Sequence, residues 1–294
     1  MVQSSLMGTA GKDFASSTAS TSTTSYLIPR TLLPTVIDAV RKKLVLRGMA
    51  AKIFGPASIP GRTLVLPLQS EIVAATTALA VDQIGEGGEL PFTNTQFESL
   101  TLTPVKYGAR VGVTKEMLED GIVDLISYHA ELAGYEFADN EEALIVAQLL
   151  AGATASSNLV ANSNATLPIT DITRAMQYLE AYNYLPTDMI IGVEVANDIR
   201  NIDTFTEADK SGVNNPTKRM IGTIFGMNVI VSNNVSSVLA YVIDRNHAFV
   251  IAEKRPLTVE RYTDYARDTS FLCVTQRIAV NYLREYSICE ITTT

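Results

Sequence analysis

The side chains best suited to chemistry are few and poorly spaced for it. The two histidines, His129 and His247, are far apart and lack the HExxH spacing that sets two metal ligands on one helix face. Cys273 and Cys289 have neither paired-ligand spacing nor the density of a disulfide scaffold, so a reduced compartment and no structural metal are expected. There is no GxSxG elbow for a nucleophilic serine and no GxxxxGK[ST] phosphate cradle. The run Gly85-Glu86-Gly87-Gly88-Glu89 superficially resembles a phosphate loop, but its two carboxylates would repel phosphate and no clear helix follows. A hairpin tip suits it better. Glu116, Glu119, Asp120 and the run from Asp139 to Glu142 fall where helix starts and solvated faces would place them, and nothing selects a carboxylate pair for acid and base work. The sequence therefore nominates no catalytic residue, no cofactor and no metal ligand, and the expectation is a protein that is not an enzyme. An α/β enzyme using His247 with a nearby carboxylate would need a pocket gathering titratable groups.

Composition points toward contacts. Across 294 residues, 47% are hydrophobic and 18% charged, which suits a globular chain with neutral surface committed to partners. The net charge of -8 argues against gripping nucleic acid over the whole surface. Charge is unevenly spread: residues 1–50 carry +4, leaving -12 for the rest. The basic end holds the cluster Arg41, Lys42, Lys43 and Arg47, which reads either as a solvated helix end or as a contact for an acidic partner. The N-terminus lacks the pattern of a signal peptide, and the most apolar stretch, 143–151, is shorter than the ~20 helical residues a bilayer needs. No membrane partner and synthesis in the cytoplasm are expected.

These segments must be positioned by a mixed set of elements. Residues 15–25 are small and polar with no apolar face, hence an arm. Pro29 and Pro34 favour an extended start before a helix over 36–46. Leu64, Leu66 and Leu68 alternate, as do Leu100 and Leu102, which predicts a long hairpin with Gly85, Gly87 and Gly88 near its tip. After Pro104 the alternation changes phase, placing Val105, Tyr107, Ala109, Val111 and Val113 on one face of a strand. A short helix from Thr114 stops at Gly121, and a long one over 122–152 ends at Gly152, with His129 on its stripe as a packed or interface residue. Then come a polar linker, an amphipathic helix around Ile172–Leu179 capped by Thr170 or Asp171, a helix over 194–202, and strands at 189–193, 227–231, 240–243 and 249–252. The C-terminal part is β-rich, with Leu272, Val274, Ile278, Val280 and Tyr282 on one face.

Taken in order, EGGELPFTNTQFESLTLTPVKYGARVGVTKEMLED, IGTIFGMNVIVSNNV, VIDRNHAFVIAEKRPLTVE and CVTQRIAVNYLREYSICEI resemble the Hong Kong 97-like major capsid protein of tailed double-stranded DNA bacteriophages. The resemblance spans nearly the whole chain and implies an α+β fold: an N-terminal arm (1–54), an extended β-hairpin loop (55–105), a peripheral domain with a long spine helix (106–166) completed by C-terminal strands (253–294), and an axial α/β domain (167–252). It implies a subunit that self-assembles into hexamers and pentamers of an icosahedral virion shell enclosing double-stranded DNA. Assembly would take place in the host cytoplasm, with a portal and, where present, a decoration protein. Only about 25 residues precede the Tyr26 motif, so a separate scaffolding protein is expected. An encapsulin-type nanocompartment shell shares the fold and is the alternative; the Ser/Thr-rich arm and glycine-tipped loop favour the virus.

Some members of that family lock their shells by an isopeptide bond between a loop lysine and a neighbour's asparagine, assisted by a glutamate. Their motifs place Leu90, Asp268 and Thr275 at those three positions, and no lysine lies between Lys52 and Lys106, so no covalent crosslink is expected. The loop carries a net charge of -4, and its Glu86 and Glu89, with Leu90, are expected at a contact between subunits that includes Arg261 and Arg267. The resemblance turns the arm and spine helix toward the interior, so Arg41, Lys42, Lys43 and Arg47 are expected to face DNA or a scaffold.

Overall fold

The computed structural model describes residues 45–69, 83–86, 88–89, 97–119, 125–162, 166–202 and 222–293. The chain divides into two units, Met1–Ala39 and Val40–Thr294, and every described residue lies in the second. The expected arm and helix before Val45, and much of the loop, fall outside the described residues.

One helix organises the second unit. Helix α2, Leu125–Ser156, has 32 residues and so runs about 48 Å; it follows a five-residue helix α1, Lys115–Glu119. It passes Gly152, where the sequence predicted its end. A side chain at 152 would sit 2.8 Å from Ile288 Cδ1 and 3.3 Å from the Tyr282 ring, so this glycine serves close approach of helix to sheet. The stop comes later, at Ser157, in the left-handed region with φ 58. The Asn158 and Ser157 amides then donate to the Ala153 and Thr154 carbonyls, the paired bonds that close a helix C-terminus.

Behind α2 lies a six-stranded sheet in the order β5-β12-β9-β6-β8-β7. Its strands are β5 (Leu159–Asn162), β6 (Asp188–Ile191), β7 (Thr223–Ile224), β8 (Met227–Val231), β9 (Leu239–Ile243) and β12 (Ile288–Thr293). Both faces are covered. Helices α3 (Ile169–Glu180) and α4 (Val193–Asn201) press Ile172, Leu179, Val195 and Ile199 onto Met189, Ile191, Val242 and Ile291. On the other face Ile145, Leu149 and Ala153 of α2 pack with Ile190, Tyr241, Ile243 and Ile288. Strands buried on both faces read as continuous apolar runs, which is why β6 and β9 stand out in the sequence. The run expected to continue to Val193 turns at Gly192, whose missing Cβ lets the Ser236 carbonyl approach, and Val193 opens α4 instead. Helix α3 begins one residue after Pro168, and neither Thr170 nor Asp171 caps it; both lie inside its first turn.

A second, four-stranded sheet has the order β1-β10-β11-β4, with β1 Lys52–Phe54, β4 Val105–Thr114, β10 Phe249–Asp264 and β11 Thr269–Tyr282. Strand β10 pairs with β11 along nearly its whole length, so it continues well past the expected end at Ala252. Along β11 burial alternates strictly: Ser270, Leu272, Val274, Gln276 and Ile278 face inward, where Leu272 and Val274 meet Ala133 and Phe137 of α2. The expected apolar face therefore forms, with Ser270 and Gln276 added to it. The last strand, β12, leaves this sheet and pairs with β5 and β9, so residues 288–293 are built into the six-stranded sheet.

The ends of the predicted hairpin pair as expected. Strand β2 (Leu64–Gln69) lies antiparallel to β3 (Phe97–Leu102), with Leu64 opposite Leu102 and Leu66 opposite Leu100. Those leucines reach Ile59, Val250 and Ala252 at the hairpin's foot.

Candidate assembly surfaces

Two arrangements separate what the subunit keeps for itself from what it presents. The first is a clasp on α2. Glu142, 2% exposed, accepts hydrogen bonds from the Val45 and Leu46 backbone amides, the latter at 2.7 Å, and from Asn234 Nδ2 at 3.1 Å. Neighbouring Glu141, 4% exposed, takes Arg47 Nη1 at 2.6 Å, while Arg47 Nη2 reaches Glu253 Oε2 at 2.7 Å. One half-exposed guanidinium thus joins α2 to β10 and ties the segment at 45–47 to both. Burial opposes the Arg47 charge, yet the carboxylates of Glu253 and Glu141 outweigh it and hold the group above its ordinary range. Burial raises the Glu141 carboxyl further than Arg47 lowers it.

This clasp corrects the reading of Asp139–Glu142 as a solvated face. Glu141 and Glu142 are core residues with tertiary partners, and the available signal was an acidic pair abutting the apolar run ALIVAQLL. Arg47, expected to face DNA or scaffold, has its charge met inside the subunit by two carboxylates. Arg41, Lys42, Lys43 and Leu90 lie outside the described residues.

The second arrangement is exposed. The outer half of the β10–β11 ribbon leaves Leu257, Val259, Tyr262 and Tyr265 open, Tyr265 at 85%. Tyr262 stacks on Phe271 with centroids 5.1 Å apart. Arg261, in register with Leu272, and Arg267, in the turn after β10, are both exposed there. Asp268 pairs with Lys115 at 2.5 Å, pinning the ribbon's end to the start of α1, and Thr275 lies in mid-ribbon opposite Thr258 and Gly108. On the hairpin, Val65 is 53% and Phe97 73% exposed. Around the predicted tip, the Gly88 amide donates to the Gly85 carbonyl at 2.9 Å and closes a turn that leaves Glu86 and Glu89 exposed. Among the described residues, no ion pair joins Glu86 or Glu89 to Arg261 or Arg267 within the subunit.

The histidines serve local structure. His247 Nδ1 lies 2.8 Å from Asp244 Oδ2, and Asp244 also accepts from the Asn246 amide, an arrangement that closes the turn between β9 and β10. The nearby Ser287 hydroxyl donates to the His247 and Arg284 carbonyls, so its proton is already engaged with backbone. His129 meets Tyr128 edge to face on α2.

With this geometry in place, comparison with known proteins is decisive. A family model described as phage capsid protein matches residues 97–283, from the returning strand of the hairpin to the end of β11. The chain belongs to the phage capsid protein family. It is a structural subunit of a virion shell, not an enzyme, and its fold is that of the Hong Kong 97-like major capsid proteins, with α2 as spine helix. Among solved structures, the capsid of cyanophage P-SCSP1u is 13% identical with a TM-score of 0.76, covering 92% of this chain and 94% of that one. A chain of Mycobacterium phage Che8 is 16% identical with a TM-score of 0.72, covering 90% and 96%. The capsid of a native GTA particle, computed with C5 symmetry, is 14% identical with a TM-score of 0.70 and covers all of both chains. No curated protein matches the sequence. The fold is thus shared at sequence identities of 13 to 16%. The family match decides for the phage shell over the cargo compartment.

Proposed function

We propose that this capsid protein assembles through hexamers and pentamers into a noncovalent icosahedral shell around double-stranded DNA. Residues 167–252, with α3, α4 and strands β6 to β9, act as the axial domain, and 106–166 with 253–294, holding α2 and most of the four-stranded sheet, as the peripheral domain, which lends β5 and β12 to the axial sheet. The observation that carries this reading is the two-stranded β2–β3 ladder. A two-stranded sheet is marginal alone, and among the described residues this one packs its foot on the body while Val65 and Phe97 face solvent. Copies of the same chain, related by closed symmetry, supply the missing surface.

The shell is held without crosslinks, because the loop lacks a lysine and Leu90, Asp268 and Thr275 stand where family members that crosslink carry reactive groups. Asp268 is in addition engaged by Lys115. Loop carboxylates meet cations of a neighbouring copy, Arg261 and Arg267 among them. The basic segment Arg41, Lys42 and Lys43 faces DNA or an acidic scaffold, with Arg47 as the residue that anchors its base. A separate scaffolding protein, a portal and, where present, a decoration protein complete the particle.

Electron microscopy of the purified chain tests the reading: closed shells with pentameric and hexameric units are expected, and only soluble monomers under all assembly conditions would refute it. Denaturing gels of purified shells should show a single monomer band, whereas a ladder of covalent oligomers would overturn the noncovalent part.

A further inference from the structure

The four-stranded sheet has one face on α2 and one turned away from it. On the outward face, the strand register sets Lys106 of β4 opposite Arg277 of β11, and Arg277 opposite Arg255 of β10. Three cations therefore lie side by side across three strands. Like charges directly opposite one another destabilise a sheet. Arg277 makes a single hydrogen bond, from Nη2 to the Pro104 carbonyl at 3.3 Å, and its buried Nε finds no acceptor among the described residues. Lys106 and Arg255 are exposed.

The rows beyond are small, then mixed in charge. Gly108, Thr275 and Thr258 share the next row, and Gly108 leaves a gap in the side-chain layer, since a Cβ there would meet nothing nearer than 3.7 Å. Arg110 and Glu260 follow, one on each side of Cys273; the Arg110 guanidinium lies 4.6 Å from the Phe271 ring centre and is bonded to the Tyr262 hydroxyl at 3.1 Å. The Lys106–Arg277–Arg255 row thus concentrates positive charge on a chain whose net charge is -8, and among the described residues no ion pair joins any of the three to a carboxylate.

An anionic partner offsets this repulsion, and the chain carries one. The loop 55–105 has net charge -4, with Glu86 and Glu89 on either side of the glycine turn. A second copy brings that acidic tip to every particle at the stoichiometry of the face itself. We propose that the Lys106–Arg277–Arg255 row is the principal acceptor for Glu86 and Glu89 of a second copy of this chain. Arg261 contributes less, because its register partner Leu272 points to the α2 side. The Arg forks and the Lys ammonium bind the carboxylates, and the gap at Gly108 admits the loop backbone beside them.

The inference rests on the capsid reading, and charge reversal distinguishes the two. The variants are K106E/R255E, E86K/E89K and the combination of all four; wild-type failure to form shells would count against the capsid reading itself. Each double reversal is expected to lower shell yield at low ionic strength by about tenfold or more, and the combination to restore it to within about threefold. Thermal unfolding of each subunit reports its folding. Should a reversed subunit fail to fold, the neutral pair K106A/R255A replaces it and is expected to remove most of the salt dependence of wild-type assembly. Normal shell yield from either double reversal, no restoration in a folded combination, or unchanged salt dependence in the neutral pair would overturn the assignment.

Discussion

The six-stranded sheet and the outer β10–β11 ribbon come from the same chain and treat their faces in opposite ways. At its base β10 is buried from Phe249 to Ala252; a few residues on, Leu257, Val259 and Tyr262 stand open. The six-stranded sheet has α3 and α4 on one side and α2 on the other, so its stability is complete in one subunit. The ribbon's outer half and the β2–β3 ladder owe little to the subunit that makes them. Apolar surface exposed on a monomer but covered in an assembly drives association in the same way that core burial drives folding. The difference teaches where a capsid subunit divides its hydrophobic residues between folding and assembly.

That contrast can be broken from either side. The largest effect is expected in the core shared by α2 and the six-stranded sheet: Leu149→Ala should cost about 3 to 4 kcal/mol of subunit stability in denaturant unfolding. Glu142→Ala should follow at about 3 kcal/mol, since it strands the buried amide of Leu46 and two part-buried donors, the Val45 amide and the amide group of Asn234. Glu142→Gln should recover part of that loss.

Arg47→Ala should cost about 2 kcal/mol near neutral pH, between the values for exposed and buried pairs. Its sign with pH follows from Glu141. Burial holds that carboxyl above its ordinary range, so the folded chain retains its proton over a span of pH in which the unfolded chain has lost it. Stability from this group therefore falls as pH rises from the ordinary carboxylate range. Without Arg47 the fall should steepen, so unfolding midpoints of the variant and wild type should converge toward acid pH and separate toward neutral.

On the exposed side, Phe97→Ser or Val65→Ser should change subunit stability by less than about 0.5 kcal/mol while reducing shell yield. A large stability loss from either would mean that the hairpin is part of the subunit core. The smallest effect is chemical. Burial, with the Glu290 carboxylate beside it, pushes the Cys289 thiol up to about 12, so alkylation of folded subunits at pH 8 should label half-exposed Cys273 and leave Cys289 intact.

Periodicity by itself determined much of this protein. The leucine alternation foretold the pairing of β2 with β3, the apolar runs foretold β6, β8 and β9, and the inward face of β11 was visible in Leu272, Val274 and Ile278. These signals are local, because a strand buried on a given face must repeat every second residue. Only the tertiary structure decided the rest. Glu141 and Glu142 looked like a solvated helix face until Val45, Leu46, Arg47 and Asn234, distant in sequence, converged on them. Gly152 looked like a helix stop until Ile288 and Tyr282 arrived beside it. The cation row exists only because strand register brings Lys106 beside Arg277 and Arg255, both more than a hundred positions further along the chain. Long-range pairing carries no local periodic signature, so the clasp and the charged face emerge only when the chain is folded.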